Sequence, residues 1–347
     1  MIVEANQTGG DEEWRPSLTR RIIRSAIERF PVVGKSYLLP KAVYLFEKAP
    51  MWPWYRRMYA AREAAKIRKA ISEHGSEILL VYDCSVCPLT FGDFLNFVMI
   101  MRFIGEHGQM ATLAILTSGA EHTHSKRLGS SSVREFLKST STLAEVLLQY
   151  PMIQVVHEDS VEGALSRCRT AEVEVVGRLR VGHRRPLFLH GFNIFNHLMS
   201  GAPESLVGEV LLDETDLRSA APDKELPERY VTWHVRYSDR VDSSRNLSPE
   251  EFLEMYALLR REYPGYWIIL ISDQVGIDRY RSVCEKNRLL RIMYSKDYSS
   301  SILGDAWMIL RGECYFALRG GGISQVPLMS RAPYRIACDI VYEQMWD

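Results

Sequence analysis

The sequence predicts an α/β protein made of two parallel-sheet units behind a helical N-terminal extension. Three observations predict it. Short apolar runs alternate with longer amphipathic segments from residue 78 onward, the pattern of strand–helix repeats. A polar, proline-bearing stretch at 201–228 (GAPES, AAPDKELPE) divides the alternation into two series. The length of 347 residues accommodates two domains of about 100–200 residues each.

The elements follow in order. Residues 1–16 read as a flexible tail. RRIIRSAIERF places Ile22, Ile23, Ala26, Ile27 and Phe30 on one helical face. KAVYLFEKA and YRRMYAAREAAKIRKAISEHG continue in helix, split by Pro50 and Pro53. Then come strands at ILLVYDC (78–84), MATLAIL (110–116) and IQVVHE, with helices at TFGDFLNFVMIMRFIGEHG, FLKSTSTLAEVLLQY and SVEGALSRCR and a polar loop at TSGAEHTHSKRLGSSS. The second series has strands YVTWHVR (230–236), WIILISD (267–273), LLRIMY (289–294), ECYFAL (313–318) and PYRIACD. Its helices include SPEEFLEMYALLRREYPG, opened by Ser248 as N-cap with Pro249 in the first position. The expected domains are a basic helical extension over 1–75, a first Rossmann-like unit over 76–215 and a second over 225–340.

Composition narrows the classes. Hydrophobic residues at 46% and charged residues at 25% exclude a disordered or fibrous chain. The net charge is zero, with 43 basic and 43 acidic residues, yet it is unevenly spread. Between Arg15 and Lys69, 14 basic residues face three acidic ones (Glu28, Glu47, Glu63). In that segment Trp52, Trp54, Tyr55 and Tyr59 lie among Arg56, Arg57 and Arg62, a composition suited to a membrane interface; the plainer reading is the solvated face of packed helices. The polar, acidic start lacks the features of a secretory signal. The longest apolar candidate, Phe91 to Ile104, is interrupted by Asp93, Asn96 and Arg102. The expectation is a cytoplasmic protein, at most peripheral on a membrane through residues 15–70. Six cysteines read as free thiols: the single C-x-x-C, Cys84 and Cys87, has no second pair to complete a zinc site.

Several positions can carry chemistry. His234 and Arg236, followed by Tyr237, Ser238, Asp239 and Arg240, sit at the carboxyl end of the strand opening the second unit, where open α/β sheets bind ligands. Arginine holds a diphosphate with parallel hydrogen bonds; a buried ion pair is the structural alternative. Arg319-Gly320-Gly321-Gly322-Ile323-Ser324-Gln325 joins a strand to a helix. Its glycines permit close approach or positive φ, and its helix-start N–H groups suit an anion. It is neither a dinucleotide fingerprint nor a Walker loop. Ser272 and Asp273 end a third strand and could meet a base or ribose, although Asp273 also suits a helix cap. Asp305 lies in the helix SSSILGDAWMIL and reads either as a polar contact from a helix near a phosphate loop or as a solvated first-turn acid. No D-x-D metal clamp and no G-x-S-x-G elbow occur, and His122-x-His124 beside Glu121 reads as surface.

Taken together, HVRYSDR resembles the H-x-R-x-x-D-[RK] signature of the α1,6-fucosyltransferase superfamily. Ser272-Asp273, the helix carrying Ser301 and Asp305, and the loop with Ser324-Gln325 follow in the same order. The resemblance covers roughly 229–338. It implies two domains facing a cleft (GT-B-like), inversion without a metal or other cofactor, and GDP-fucose as donor. It implies that Arg236 binds the donor β-phosphate, Asp305 the guanine or ribose, and Ser324 and Gln325 the phosphates, with His234 lining the pocket. The chain departs from the family in its triple glycine and in Tyr237, where the family often carries a second Arg.

The expected activity is therefore metal-independent inverting transfer of a sugar, with fucose the candidate, from a nucleotide diphosphate to a glycan or lipid-linked acceptor. Arg236, Arg319, Gly321, Gly322, Ser324 and Gln325 would stabilise the leaving diphosphate. Asp93, at the carboxyl end of the first strand, is the candidate base; a first-turn helix carboxylate is its plainer reading. The alternative function is non-catalytic binding of a nucleotide or sugar phosphate on the same fold. No recognition module for nucleic acid is visible.

Overall fold

The structure is a computed structural model, and it describes residues 52–73, 76–84, 87, 89–117, 133–177, 179–181, 185–187, 191–237, 246–318 and 320–337. It is α/β, with two wholly parallel sheets. The first contains β1 (Glu77–Asp83), β2 (Ala111–Leu116), β3 (Ile153–Glu158) and β4 (Val173–Val176) in the order β3-β2-β1-β4. β5 (Leu179–Val181) and β6 (Arg185–Leu187) form a separate antiparallel pair. The second sheet contains β7 (Tyr230–His234), β8 (Trp267–Ile271), β9 (Ile292–Tyr294), β10 (Tyr315–Leu318) and β11 (Tyr334–Ala337) in the order β11-β10-β7-β8-β9.

The central strands are apolar because helices cover both faces. In β1, Ile78 to Tyr82 are all buried. β4 has no apolar run to announce it: VEVV is four residues long and alternates with a glutamate. It pairs in parallel with β1, Glu77 opposite Val173, and completes the sheet.

Helix α1 (Trp52–Glu73) carries Pro53 in its first turn, where a missing N–H is harmless; proline marks the start of this helix. The helices expected over 17–48, the tail, and the side chains of Trp52, Trp54, Tyr55 and Arg56 lie outside the described residues. Several basic residues of α1 are engaged internally. Arg68 donates to the carbonyls of His197, Leu198 and Ser200 at the end of a later helix. Lys66 bonds the Val175 carbonyl and pairs with Glu63 and Glu174, and Lys69 reaches Glu73. Arg57 and Arg62 are exposed. Among the described residues no helix is long and apolar enough to cross a membrane.

Helix α2 (Phe91–Glu106) is buried along most of its length and starts at the cap residue Thr90. It packs on α3 (Val133–Leu147), α5 (Gly191–Met199) and α6 (Glu204–Val210), and its first turn meets the glycine loop of the second unit. The short α4 (Val161–Arg167) follows β3. The stretch expected to be a linker is built into the molecule. It contains α6 and a 3-10 turn at Arg218–Ala220, and it buries Val210, Leu212 and Leu217. Leu212 pairs in parallel with Ser330, its N–H donating to Met329, and Arg102 of α2 holds Asp216 at 2.8 Å. Prolines and charges dominate its composition, but three spaced apolar residues are enough to anchor it. One continuous apolar core therefore runs from the first sheet through α2 to the face of the second sheet that carries Ile269, Ile271 and Ala317.

The second unit adds α7 (Pro249–Glu262), α8 (Gln274–Lys286), α9 (Ile302–Arg311) and the one-turn α10 (Gln325–Leu328). The Ser248 cap of α7 is a full capping box with Glu251, with Pro249 in the first turn.

Candidate functional site

Four neighbouring strands, β10, β7, β8 and β9, end in or are followed by polar segments at the carboxyl edge, where parallel sheets present ligand sites. β7 ends in His234, whose residue is 7% exposed. Its ring lies parallel to that of Tyr315 on β10, with centroids 6.5 Å apart. Arg236, two residues on, is half-buried, and its carbonyl receives the Tyr280 hydroxyl at 3.4 Å. Ser238, Asp239, Arg240 and Arg319 lie outside the described residues, as do Glu121, His122 and His124.

After β8, Ser272 is buried. Asp273 caps α8, accepting the Gly276 N–H at 2.8 Å, so the helix cap occupies at least one of its oxygens.

After β9, the 3-10 turn Ser295–Asp297 supplies two residues that sequence reasoning missed. Lys296 forms an ion pair with Asp305 of α9 at 2.5 Å; Asp305 is buried and the Lys296 side chain is 10% exposed. The hydroxyl of Ser295 is fully buried beside them. The other carboxylate oxygen of Asp305, Oδ1, and the Ser295 hydroxyl are each without a hydrogen-bond partner among the described residues. Burial pushes the Asp305 carboxyl up to about 6. The Lys296 charge and hydrogen bond and the nearby Ser295 hold it down, and the Asp273 charge adds a smaller upward push. Ser295 therefore lies next to the Asp305 carboxyl. Asp305 is consequently an interior acid and not a solvated first-turn one. Tyr-Ser-Lys-Asp directly after a strand was the available signal for Lys296.

After β10 comes the glycine loop. Ser324 is buried and ties it together: its oxygen receives the Gly321 N–H at 3.1 Å and lies 2.7 Å from the Tyr315 hydroxyl, another residue the sequence did not single out. Ser324 N–H returns to the Gly321 carbonyl at 2.9 Å. The glycines serve close approach alone, because none of the three has a positive φ. A Cβ on Gly320 would stand 2.9 Å from the Ser324 hydroxyl oxygen, and one on Gly321 would stand 2.9 Å from His234 Cε1. Gly322 is exposed on one side. Gln325 opens α10, with its side-chain Oε1 buried and without a partner among the described residues.

Asp93 belongs to the other half of the molecule, in the first turn of α2. The Thr90 hydroxyl donates to its carboxylate, and Thr90 Oγ1 accepts the Asp93 N–H at 3.3 Å. This is cap geometry, yet its neighbour Gly92 touches Gly322 of the loop. Cys84 and Cys87 are buried; burial, then the Asp83 charge, pushes the Cys84 thiol up to about 12 and the Cys87 thiol well above its ordinary value. Both stay protonated and unreactive at neutral pH. Among the described residues no three His, Cys, Asp or Glu side chains gather in a metal-binding group. A groove of about 290 Å³ between α1 and β4, lined by Tyr59, Arg62, Glu63, Lys66 and Glu174, uses none of these residues, and its Lys66 pairs with both Glu63 and Glu174.

No protein-family model matches the chain, and no curated protein matches it. Solved structures that resemble it include the E. coli heptosyltransferase WaaC with ADP-2-deoxy-2-fluoro heptose, at 11% identity and a TM-score of 0.39 over 75% of this chain and 88% of that one. A glycosyl transferase family 9 protein from Veillonella parvula matches at 13% identity and 0.39, over 75% and 80% of the two chains. POFUT1 in complex with GDP-fucose matches at 11% and 0.35, over 76% and 98%. Likeness at this level does not assign an activity.

Proposed function

We propose that the chain is a glycosyltransferase that takes its donor, a nucleotide diphosphate sugar, at the carboxyl edge of the second sheet. The observation that carries this reading is the convergence there of the glycine loop, His234, Ser272 and the buried Asp305–Lys296 pair from four adjacent strands. A nucleotide diphosphate needs an anion cradle and a separate polar pocket for its base or ribose, and this edge offers both kinds of group. Arg236 and the loop N–H groups would take the diphosphate, with Arg319, Gly321, Gly322, Ser324 and Gln325 forming its cradle. Asp305 Oδ1 and the Ser295 hydroxyl, buried and without a geometric hydrogen bond among the described residues, would take donors and acceptors of the base or ribose. Ser272 and Asp273 flank that pocket.

In the reaction, an acceptor hydroxyl oxygen bonds the anomeric carbon as the bond from that carbon to the diphosphate oxygen breaks, inverting the centre. Arg236 and the loop stabilise the departing charge without a metal. Asp93 accepts the hydroxyl proton, with the Thr90 hydroxyl donating to its Oδ2 and orienting the carboxylate. The resemblance around HVRYSDR favours GDP-fucose as donor, and a glycan or lipid-linked acceptor. The proposed domain division keeps 76–215 for the acceptor and 225–340 for the donor, with residues 15–70 as a peripheral membrane contact.

A second reading, a binding protein without catalysis, draws on the engagement of Asp93 as a helix-cap carboxylate. Incubation with a panel of nucleotide sugars separates the two. Release of nucleoside diphosphate that disappears in Arg236→Ala supports transfer; binding without release supports the second reading; neither binding nor release contradicts both.

A further inference from the structure

We propose that Gly92, in the first half of the chain, is a positioning residue for the glycine loop of the second half. It has no side chain, so the Gly322 peptide can rest directly on the first turn of α2, and this contact sets the loop that grips the diphosphate. The inference rests on the reading of that loop as the diphosphate cradle.

The contact is between backbones. A Cβ on Gly92 would overlap the Gly322 carbonyl oxygen and stand 2.8 Å from Gly322 Cα and 2.9 Å from Gln325 Cγ. Real Cβ atoms do not come this close to backbone, and neither peptide can swing aside as a flexible side chain would. Gly92 is helical and its φ is not positive, so backbone conformation does not call for glycine there. What does call for glycine there is the close approach of the Gly322 peptide.

The loop is thus held on three sides. Ser324 and Tyr315 tie it from beneath, the His234 ring abuts Gly321, and Gly92 abuts Gly322. The first two come from the same sheet. Of these three, Gly92 comes from the other half, where α2 packs against the loop and the start of α10, and it is the backbone-to-backbone point of that contact. A displaced loop N–H loses its alignment with a bound phosphate oxygen.

The same helix supplies a control. Gly105, near the other end of α2, is equally tight: its Cβ would stand 2.7 Å from the Tyr150 ring. Thirteen residues of helix separate the two glycines, roughly 20 Å. Titration calorimetry of the full chain with GDP, UDP and ADP, for wild type, Gly92→Ala, Gly322→Ala and Gly105→Ala, with thermal unfolding of each, tests the idea. The expected result is about tenfold weaker binding in Gly92→Ala, a smaller loss in Gly322→Ala, and unchanged affinity in Gly105→Ala despite a lower Tm. Unchanged affinity in Gly92→Ala overturns the proposal, as does an equal loss in Gly105→Ala. If Gly92→Ala does not fold, Gly322→Ala decides, because its Cβ would lie only 3.2 Å from the Gly92 nitrogen and crowds the same contact more mildly; wild-type affinity there overturns the proposal. A wild type that binds none of the three nucleotides overturns the reading of the loop itself, and the positioning role with it.

Discussion

At the carboxyl edge of the first sheet, β1 leads through Cys84 and Cys87 into α2; Thr90 engages Asp93, both thiols are buried and held protonated, and among the described residues the unpartnered buried atoms of α2, Asn96 Oδ1 and Arg102 Nε, lie further along the helix. At the same edge of the second sheet, buried polar atoms are left open. Asp305 Oδ1, Ser295 Oγ and Gln325 Oε1 are without partners among the described residues, and a loop of three glycines lies beside them. The two sheets share parallel topology, so topology does not account for this difference. Unsatisfied buried oxygens cost stability, on the order of 1–3 kcal/mol each, and a chain that keeps several at one edge is better explained by a ligand that fills them. The first half then acts on that edge by shape, through Gly92, more than by charge.

The contrast can be broken in several places, taken from the largest effect downward. Lys296→Ala leaves Asp305 buried without its cation and should cost about 3–5 kcal/mol at pH 8 in urea unfolding. The pH dependence has a definite sign. The folded-state pKa of Asp305, about 6, lies above its ordinary 3.8, so ionising it opposes folding. That penalty is full above about pH 6, is relieved as pH falls through 6 towards 4, and is absent below both values. The deficit of Lys296→Ala should therefore shrink at pH 5, and Asp305→Asn should flatten the profile. A deficit independent of pH would mean the pair is not where the energy lies. Next, Asp93→Asn should lower kcat about 100-fold with little change in Tm if its carboxylate takes the proton. A wild-type kcat would leave it a cap residue and make the first edge purely structural.

Ser324→Ala should cost about 1–3 kcal/mol by stranding the Tyr315 hydroxyl and the Gly321 N–H, and should also weaken nucleotide binding. Tyr315→Phe removes one partner only and should cost less; equal costs would mean that Ser324 does not organise the loop. The smallest effect belongs to α1. Arg57→Ala with Arg62→Ala should change stability by less than about 0.5 kcal/mol, because both residues are exposed, while reducing co-sedimentation with anionic vesicles. Unaltered co-sedimentation would separate these residues from any membrane contact.

What the sequence disclosed follows from what burial does to composition. Strands covered on both faces read as apolar runs, so β1, β2, β7 and β8 were legible, as was the Ser248 cap of α7. β4 was not, because a short edge strand keeps a polar alternation, and neither was the packed nature of 201–228, where Leu212 and Leu217 stand alone among charges. At the site, His234, Ser272 and Ser324 stood out by their position at or after strand ends, and Asp305 as an acid in the first turn of a helix. Lys296 and Tyr315 did not: the strand-end position of Lys296 was a signal, but its ion pair with Asp305, nine residues on, and a buried phenol have no spacing pattern of their own. The triple glycine was legible as a loop, but the partners that require it, Ser324, His234 and Gly92, are contacts made only by folding.

The central claim is that the second sheet's carboxyl edge takes a nucleotide diphosphate. Titration calorimetry of the full chain with GDP, before and after Arg236→Ala, tests it most directly. The account predicts saturable one-to-one binding that weakens about 100-fold or more in the variant, the size of a lost charge-assisted bidentate contact. Saturable binding of equal strength in Arg236→Ala, or no binding by the wild-type chain to GDP, UDP or ADP, would contradict it.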